Sequence, residues 1–333
     1  MFNKLSNIFN KKIIYTFVLI IFFYFIITIF LYLFSSILLV KKRVIDFPLI
    51  LDYQRNFYHQ LGYRKIWQTQ KECIEFDINL IFRPAIGKCI FKNVEFSTEL
   101  NFDHKGRITK NSLIENKNGI AIIGDSHAMG WGVNDDETFA ALLEKKLNKK
   151  IYNLAVSGFA TKRELERLKI SNLLEKVDIV IIQYSNNDYH ENLSSINKIN
   201  SIDDNKKKFS QLVSAEMSFF ERFRKGIRYS FVIPLHLIKN KKNYLDWYQH
   251  EESFYAIIKE YNFLNKKELI VIYSNGMDQN FKNFPNRISA KFSNLKYINI
   301  PYSKDDFFLV DGHLNIKGHK KIADILYKLI NKI

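Results

Sequence analysis

A serine near the middle of the chain stands where its side chain could act as a nucleophile. Ser126 follows the apolar run Ile120–Ile123 through Gly124 and Asp125, and a helical pattern begins directly after it. A serine in a sharp turn after a buried strand exposes its Oγ, and the next helix offers backbone N–H groups. Gly-Asp-Ser also occurs by chance in many chains, so the motif needs partners elsewhere in the sequence.

The candidate partners of Ser126 lie near the C-terminus. A neutral His313 could take the proton of the weakly nucleophilic hydroxyl, and Asp311 could hold the imidazole and stabilise its charged form. His319 is the alternative base, although the final helical pattern includes it. His127 is adjacent to the serine in sequence, and we expect its side chain to point away from the hydroxyl, in a structural role or at the rim of the site.

Acyl transfer also needs hydrogen-bond donors for the oxyanion that forms in the transition state. Three candidates stand in separate blocks: the backbone N–H groups of Ser126 and Gly158, and the side-chain amide of Asn187. Glycine is useful at position 158 because a Cβ could obstruct the substrate. Removing one such donor typically costs about 3 kcal/mol of transition-state stabilisation.

Short apolar runs alternate with helical patterns and predict the strands that position these residues. The runs are Ile120–Ile123, Ile151–Leu154, Val177–Gln183, Leu269–Tyr273 and Tyr297–Ile300. Helical spacing is present in Glu137–Leu147 and Thr161–Leu174, the second opening with a possible capping box at Thr161. This alternation predicts a doubly wound parallel sheet, in which ligands bind at the carboxyl ends of the strands.

The blocks at these strand ends resemble the SGNH family of GDSL-type esterases and lipases, over about Gly119 to Ile333. The matching residues are Ser126 in Gly-Asp-Ser, Gly158 in Asn153-Leu-Ala-Val-Ser-Gly158, Asn187 before Asp188, and His313. The resemblance implies an α/β fold, a flavodoxin-like α/β/α sandwich with a five-stranded parallel sheet. It also implies a Ser–His–Asp triad of Ser126, His313 and Asp311 that hydrolyses or transfers an ester acyl group without a metal or other cofactor.

Two blocks depart from the family pattern. Ser185 and Asn186 precede the Asn187–Asp188 pair, where the family usually has glycine, and one residue instead of two separates Asp311 from His313.

An apolar segment near the N-terminus predicts a membrane anchor. Residues 13–40 contain no charged side chain, and at about 1.5 Å per residue they exceed the roughly 30 Å hydrocarbon core of a bilayer. The apolar stretch is longer than that of a cleavable signal peptide and ends in Lys41-Lys42-Arg43. We therefore predict an N-terminal tail (1–12) and an uncleaved single-pass anchor (13–40). Basic residues on both sides leave the orientation open.

Residues 41–118 predict a membrane-proximal region with a small β element. The run Val94–Phe102 alternates apolar and polar residues, as a strand with one buried face does, and a turn follows it. Cys73 and Cys89 could form a disulfide across a short loop, or could be two buried thiols. A disulfide together with the anchor would place the C-terminal domain outside the cytoplasm.

The net charge of +16 does not by itself indicate a nucleic-acid partner. Lysine is abundant throughout the chain, and no nucleic-acid-binding module accompanies the charge, so we expect no nucleic acid to bind. Lys206–Lys208 and Lys239–Lys242 are then solvated faces or loop edges.

Residues 119–333 form the predicted SGNH-like domain, with a helical insertion at about 189–267. The insertion contains the basic, amphipathic Phe219–Lys225 and aromatic residues at helical spacing, from Tyr244 to Tyr261. One interpretation is a lid or membrane-facing surface, and the other is helices that pack their aromatic side chains on the sheet.

These features predict a membrane-anchored serine esterase or acyltransferase whose substrate is an acylated small molecule or glycan, with O-acetyl on a cell-envelope glycan as the leading substrate. The alternative is a non-catalytic glycan-binding or envelope-assembly module that retains the fold. A short distance between His313 Nε2 and Ser126 Oγ would favour the enzyme. The sequence does not indicate an oligomeric state.

Overall fold

The computed structural model describes residues 2–109, 118–195, 202–214, 218–238, 247–274, 276 and 292–332. The chain divides into two compact units. The first contains Met1–Arg64 and Glu216–Lys242, and the second contains Lys65–Ala215 and Asn243–Ile333. The predicted insertion at 189–267 therefore contributes to both units.

Helices α1 (Phe2–Val40), α2 (Pro48–Gln60) and α8 (Phe219–Ile238) form the first unit. Within α1, Lys12–Val40 is long and apolar enough to cross a membrane, and a signal sequence would have the same properties. The Tyr53 hydroxyl donates to the Ser230 carbonyl at 3.1 Å. A Cβ on Gly226 would lie 2.4 Å from the Tyr32 ring, so glycine permits the close approach of α8 to α1.

The second unit is built around an eight-stranded sheet. Its strands are β3 (Gly87–Lys92), β4 (Ser97–Asp103), β5 (Gly106–Arg107), β6 (Gly119–Ile123), β7 (Ile151–Asn153), β8 (Val177–Tyr184), β9 (Glu268–Tyr273) and β10 (Leu295–Ile298). A separate antiparallel hairpin contains β1 (Ile74–Asp77) and β2 (Ile81–Pro84).

The order of the large sheet is β10-β9-β8-β6-β7-β5-β4-β3. Strands β10 through β7 pair in parallel, and β5, β4 and β3 extend the sheet with antiparallel pairings. The parallel part has the flavodoxin-like order 2-1-3-4-5. All five predicted parallel strands are present, with ends shifted by at most two residues.

Helices cover both faces of the parallel strands, and side-chain alternation along each strand explains the two layers. On β6, Ile120 and Ile122 face the core with α4 (Phe139–Leu147) and α10 (Ile316–Ile330). Ala121 and Ile123 face the other core with α5 (Thr161–Ile170) and α9 (Trp247–Glu260). The fold is therefore the expected α/β/α sandwich.

Helix α5 begins differently from the prediction. Ala160 is the N-cap, and no side chain caps the helix. The Ala160 carbonyl accepts from Glu164 N at 3.1 Å. Thr161 is the first helical residue, and its hydroxyl accepts from Asn192 Nδ2 at 3.1 Å, so the predicted capping box is wrong.

The C-terminal part of the predicted membrane-proximal region contributes strands to the large sheet. Strands β3 to β5 belong to the same sheet as the parallel strands, with Arg107 on β5 opposite Asn153 on β7. Thr98, Leu100 and Phe102 on β4 are buried as predicted. Cys73, just before β1, forms a disulfide with Cys89 on β3 at a Cα–Cα distance of 5.2 Å, so the small hairpin is covalently tied to the sheet.

The predicted insertion contains helices α6 (Asn186–Ser195), α7 (Ile202–Val213), α8 and α9. On α9, Phe254, Ile257 and Ile258 are buried in the core under the sheet, as expected if the insertion packs on the sheet. Lys206–Lys208 are exposed on α7, whereas Lys239–Lys242 and Tyr244 lie outside the described residues.

Candidate active site

The turn after β6 presents Ser126 at the carboxyl end of the central strand. Asp125 caps the four-residue helix α3 (Ser126–Met129), and its Oδ1 accepts from His127 N at 2.8 Å. Gln183 Oε1 accepts from the backbone N–H groups of Asp125 and Ala128 at 3.1 and 3.2 Å. These bonds hold the turn rigidly around the serine.

Ser126, His313 and Asp311 form a continuous chain of hydrogen bonds. Ser126 Oγ lies 2.7 Å from His313 Nε2, and His313 Nδ1 contacts Asp311 Oδ1. All three side chains are buried. The imidazole can therefore accept a proton from the serine at Nε2, while the carboxylate fixes the tautomer and would stabilise an imidazolium.

The spacing of Asp311 and His313 is explained by a tight loop before α10. Gly312 has φ of +81°, a left-handed conformation that glycine adopts without strain. Its N–H donates to the Phe308 carbonyl at 3.0 Å, and Phe308 N donates to the His313 carbonyl at 2.8 Å. With one glycine between them, the carboxylate and the imidazole meet within the loop.

Two residues that the sequence analysis did not identify support this loop. The indole of Trp131 stacks on the His313 ring, with centroids 4.6 Å apart and planes inclined by 14°, and its Nε1 donates to Asp311 Oδ2 at 3.2 Å. The carboxylate of Glu95 accepts from three successive backbone N–H groups, those of Leu309, Val310 and Asp311, at 2.7, 2.8 and 2.7 Å.

The charge state of Glu95 is set by opposing effects. Burial raises the pKa of Glu95, the three backbone N–H groups lower it, and the negative charge of Asp311 raises it. We refer to the three hydrogen bonds from the backbone of Leu309, Val310 and Asp311 to the Glu95 carboxylate as the Glu95 clamp. It connects the segment between β3 and β4 to the loop that contains Asp311.

The two backbone donors suggested for the oxyanion follow neighbouring strands. Strand β7 pairs with β6 in parallel, and beyond the strands Val156 N donates to the Gly124 carbonyl at 3.0 Å. Within the described part of the chain, the N–H groups of Ser126 and Gly158 donate to no protein acceptor. They remain available to an oxyanion.

Gly158 lies against a side chain from outside the predicted domain. It has φ of +80°, and a Cβ there would lie 2.8 Å from Gln68 Nε2. Gln68 Oε1 also accepts from Ser157 Oγ at 3.0 Å. A side chain at position 158 would move the end of the Gln68 side chain, and the positive φ independently favours glycine there.

Asn187 is connected to the nucleophile turn through Ser185, the residue that departs from the family pattern. Ser185 Oγ lies 2.7 Å from Asp125 Oδ2 and contacts Asn187 Oδ1. Asp188 Oδ2 accepts from Ser185 N at 3.2 Å. Burial raises the pKa of Asp125, and hydrogen bonds from Ser185 and the His127 N–H oppose this. The Asn187 side chain is exposed, as a donor to substrate must be.

The other two histidines have different surroundings. His127 Nδ1 lies 3.1 Å from Ser274 Oγ, and its Nε2 accepts from Gly276 N at 3.3 Å. His319 is fully buried within α10, and its Nδ1 accepts from Phe139 N at 3.2 Å. Of His313 and the alternative base His319, it is His313 that contacts Ser126.

Sequence signals existed for some of the supporting residues. Gln183 is a polar residue in the apolar run of β8, and Trp131 follows the serine closely. Glu95 and Gln68 carry no such signal, because each reaches the site from a segment distant in sequence. Among the described residues, no group of three or more His, Cys, Asp or Glu side chains could hold a metal ion.

Several solved structures are similar to part of this chain. The chain is 14% identical to a two-domain esterase (CEX) active on acetylated mannans, with a TM-score of 0.39, over 66% of this chain and half (50%) of that one. It is 12% identical to a family two carbohydrate esterase from Clostridium thermocellum, with a TM-score of 0.41, over 68% and 66% of the two chains. For an acetylxylan esterase from Geobacillus stearothermophilus, the identity is 12%, the TM-score 0.37, and the coverage 65% and 95%. No curated protein matches the sequence.

A family model gives the assignment. The model of GDSL-like lipases/acylhydrolases matches residues 120–326. This range is more than half of the chain, and it includes the turn of Ser126 and the loop of His313. The chain belongs to the GDSL-like lipase/acylhydrolase family.

Proposed function

We propose that the chain is a serine esterase that removes O-acetyl groups from a cell-envelope glycan through an acyl-enzyme on Ser126. Family membership supports a hydrolase that acts on ester bonds. The observation that carries the mechanism is the hydrogen-bonded chain from Ser126 through His313 to Asp311. The 2.7 Å contact between Ser126 Oγ and His313 Nε2 favours an enzyme over a non-catalytic module.

In the proposed first step, His313 Nε2 takes the proton of Ser126 while Oγ attacks the ester carbonyl carbon. The N–H groups of Ser126 and Gly158 and the amide of Asn187 donate to the resulting oxyanion. His313 then gives its proton to the sugar oxygen, the C–O bond breaks, and the acyl group stays on Ser126. Asp311 stabilises the imidazolium during both transfers.

In the second step, His313 Nε2 takes the proton of the attacking group while its oxygen bonds to the acyl carbon. The bond between that carbon and Ser126 Oγ then breaks, and His313 returns the proton to Oγ. Water as the attacking group makes the protein a hydrolase, and a sugar hydroxyl makes it an acyltransferase. We propose hydrolysis, and an acceptor glycan supplied with the acyl donor tests the choice. Acylated acceptor, detected by mass spectrometry, would reassign the protein as a transferase.

Three features support the substrate and its location. Gln68 packs against Gly158, which limits the space beside the proposed oxyanion donors and favours a short acyl group. The apolar segment Lys12–Val40 supports a single-pass anchor, and the Cys73–Cys89 disulfide supports an oxidising compartment outside the cytoplasm. Envelope glycans are the acylated polymers that a domain so placed would meet.

The experiment is hydrolysis of a small acetyl ester by the full-length chain in detergent. We expect Ser126→Ala to lower kcat/KM by about a thousandfold or more, because removing the nucleophile of a triad leaves only binding and oxyanion stabilisation. Ser97→Ala, an exposed serine on β4, is the matched control and should leave the rate unchanged. Equal activity of Ser126→Ala and the wild type would refute the mechanism.

The substrate is tested separately in cells. Mass spectrometry of envelope glycans should show more O-acetyl groups in cells that produce Ser126→Ala than in cells that produce the wild type. An unchanged glycan, together with an active enzyme in vitro, would reject the glycan and retain the esterase.

A further inference from the structure

A cleft in the second unit contains a set of charged residues that the proposed chemistry does not use. It has a volume of about 110 Å³ and lies among the β1–β2 hairpin, the β4–β5 turn and the C-terminal half of α5. Its charged lining consists of Asp77, Arg83, Asp103 and Arg167, and His104 also borders it. We refer to it as the hairpin cleft.

The central feature of the hairpin cleft is the side chain of Arg167. It is 9% exposed, and its Nε is shielded from solvent without a hydrogen-bond partner. In the part of the chain that the structure describes, the guanidinium makes no hydrogen bond and no ion pair with protein. Burying a charged group without partners is costly, so the fold maintains an unsatisfied cation at this position.

Arg167 keeps its charge at neutral pH. Burial lowers the pKa of its guanidinium to about 10, the carboxylates of Asp77 and Asp103 raise it, and the positive charge of Arg83 lowers it. A guanidinium with this pKa is protonated near pH 7. The cleft therefore offers a fork of N–H donors that matches the two oxygens of a carboxylate.

The neighbouring charged groups are held by other partners and do not neutralise Arg167. Asp77 Oδ1 accepts from the backbone N–H groups of Asn79 and Leu80, both at 2.9 Å. Asp103 Oδ1 accepts from Lys105 N at 2.7 Å. Arg83 Nε is 2.9 Å from Glu75 Oε1. Each aspartate is thus held at the cleft through its Oδ1.

Apolar side chains complete the lining. Leu80, Pro84, Leu154 and Ile170 border the cleft, and Leu80, Pro84 and Leu154 are buried. An apolar wall beside a fixed charge and hydroxyl acceptors suits a sugar ring, whose C–H face is apolar and whose edge is polar.

We propose that the hairpin cleft binds an acidic sugar, a residue whose ring carries a carboxylate. The carboxylate pairs with the Arg167 guanidinium, ring hydroxyls donate to Asp77 and Asp103, and the C–H face of the ring lies against the apolar wall.

Size and charge favour this ligand over the alternatives. The volume of about 110 Å³ is somewhat below the roughly 150 Å³ of a cavity that holds benzene, and the cleft is open, so a carboxylate and part of one ring fit. A phosphate dianion would face Asp77 and Asp103 with twice the negative charge of a carboxylate. A neutral sugar would leave Arg167 unpaired.

The proposal concerns binding alone and goes beyond the proposed esterase, since it requires no reaction at Ser126. The test is titration calorimetry of the full-length chain in detergent with glucuronate, glucose and inorganic phosphate. We expect saturable binding of glucuronate, with affinity at least about tenfold above glucose and phosphate. Binding of phosphate as tight as that of glucuronate would overturn the assignment in favour of a general anion site.

Substitutions in the hairpin cleft test which side chains bind the acidic sugar. Arg167→Gln should weaken glucuronate binding by about tenfold or more, because it removes the charged fork. Lys169→Gln, an exposed position on the same helix, makes the same change of charge and should retain the wild-type affinity. Retention of binding by Arg167→Gln, or equal losses in both variants, would overturn the proposal.

Two further variants keep the test decisive if Arg167→Gln does not fold. Arg167→Lys keeps the positive charge but lacks the planar guanidinium. We expect its affinity for glucuronate to be lower than that of the wild type by about fivefold or more. Asp103→Asn, at an exposed position, should strengthen phosphate binding because it removes a repelling charge. Wild-type affinities in both variants would exclude the cleft as the site.

Discussion

The residues around the proposed triad show how one side chain can act through another. The carboxylate of Glu95 holds the backbone of Leu309, Val310 and Asp311. Trp131 contacts both the imidazole and the carboxylate of the triad. The orientation of His313 therefore depends on a packed surface and a clamp, and Glu95 is a positioning residue.

We predict that Glu95→Gln lowers kcat with little effect on KM. The neutral amide makes weaker hydrogen bonds to the three N–H groups than the carboxylate does, and bonds to charged groups are worth about 1.5–3 kcal/mol each. If transition-state stabilisation falls by the energy of one such hydrogen bond, kcat decreases by about tenfold or more. The measurement is the pH profile of kcat for an acetyl ester.

The control for this prediction is Glu99→Gln on β4, where Glu99 pairs with Lys88 near the surface. It should leave the profile unchanged. A merely structural role for Glu95 would lower stability and the amount of active protein without moving the pH profile, and that result would contradict the positioning role.

At the scale of elements, the pairing of α4 with α10 buries a titratable group outside the proposed site. His319 on α10 is fully buried and accepts from Phe139 N at the start of α4. Burial lowers the pKa of His319 to about 3 from the ordinary value of 6.5. The two helices therefore pack around an imidazole that must stay neutral.

This pKa shift predicts a loss of stability in acid. The unfolded chain binds the proton below about pH 6.5 and the folded protein only near pH 3, so the contribution of His319 is complete above pH 6.5 and decreases toward pH 3. We expect the free energy of unfolding to fall by about 1 kcal/mol per pH unit between pH 6 and pH 4 relative to His319→Gln. Denaturant titrations at several pH values measure this difference.

His104→Gln, at an exposed position in the β4–β5 turn, is the control for the replacement of a histidine by glutamine. Parallel curves for the wild type and His319→Gln would mean that His319 does not titrate between the folded and unfolded states.

At the scale of the whole molecule, the N-terminal apolar helix and the disulfide bear on where the protein works. The chain contains two cysteines, and they are paired with each other. Stable disulfides form outside the reducing cytosol. The bond therefore makes the compartment of the second unit measurable without engineered labels.

We predict that acid-trapped, denatured protein from cells does not react with a maleimide until a reductant is added. Cys73→Ser leaves Cys89 unpaired and should react without reduction, which controls for access of the reagent. Reaction of both thiols in the unreduced wild type would place the second unit in the cytosol, contrary to the proposed location.

The sequence by itself determined the parallel strands, their flanking helices and the family. Short apolar runs, helical periodicity and turn residues are local patterns, and local backbone preference is enough to produce them. The predicted strand ends also identified Ser126, Asp311 and His313 as candidates, because the carboxyl ends of parallel strands lie at one edge of the sheet.

Only the tertiary structure decided which distant segments complete the site. Three of the features that it decided are contacts across long sequence separations: the Glu95 clamp, the packing of Gln68 against Gly158, and the addition of β3, β4 and β5 to the parallel sheet. The division of residues 189–267 between two units also depends on contacts of this kind. Such contacts depend on how packed layers meet in space, and no periodicity along the chain encodes them. The same holds for Arg167, whose buried charge has no partner among the described residues and lies where the β1–β2 hairpin meets α5.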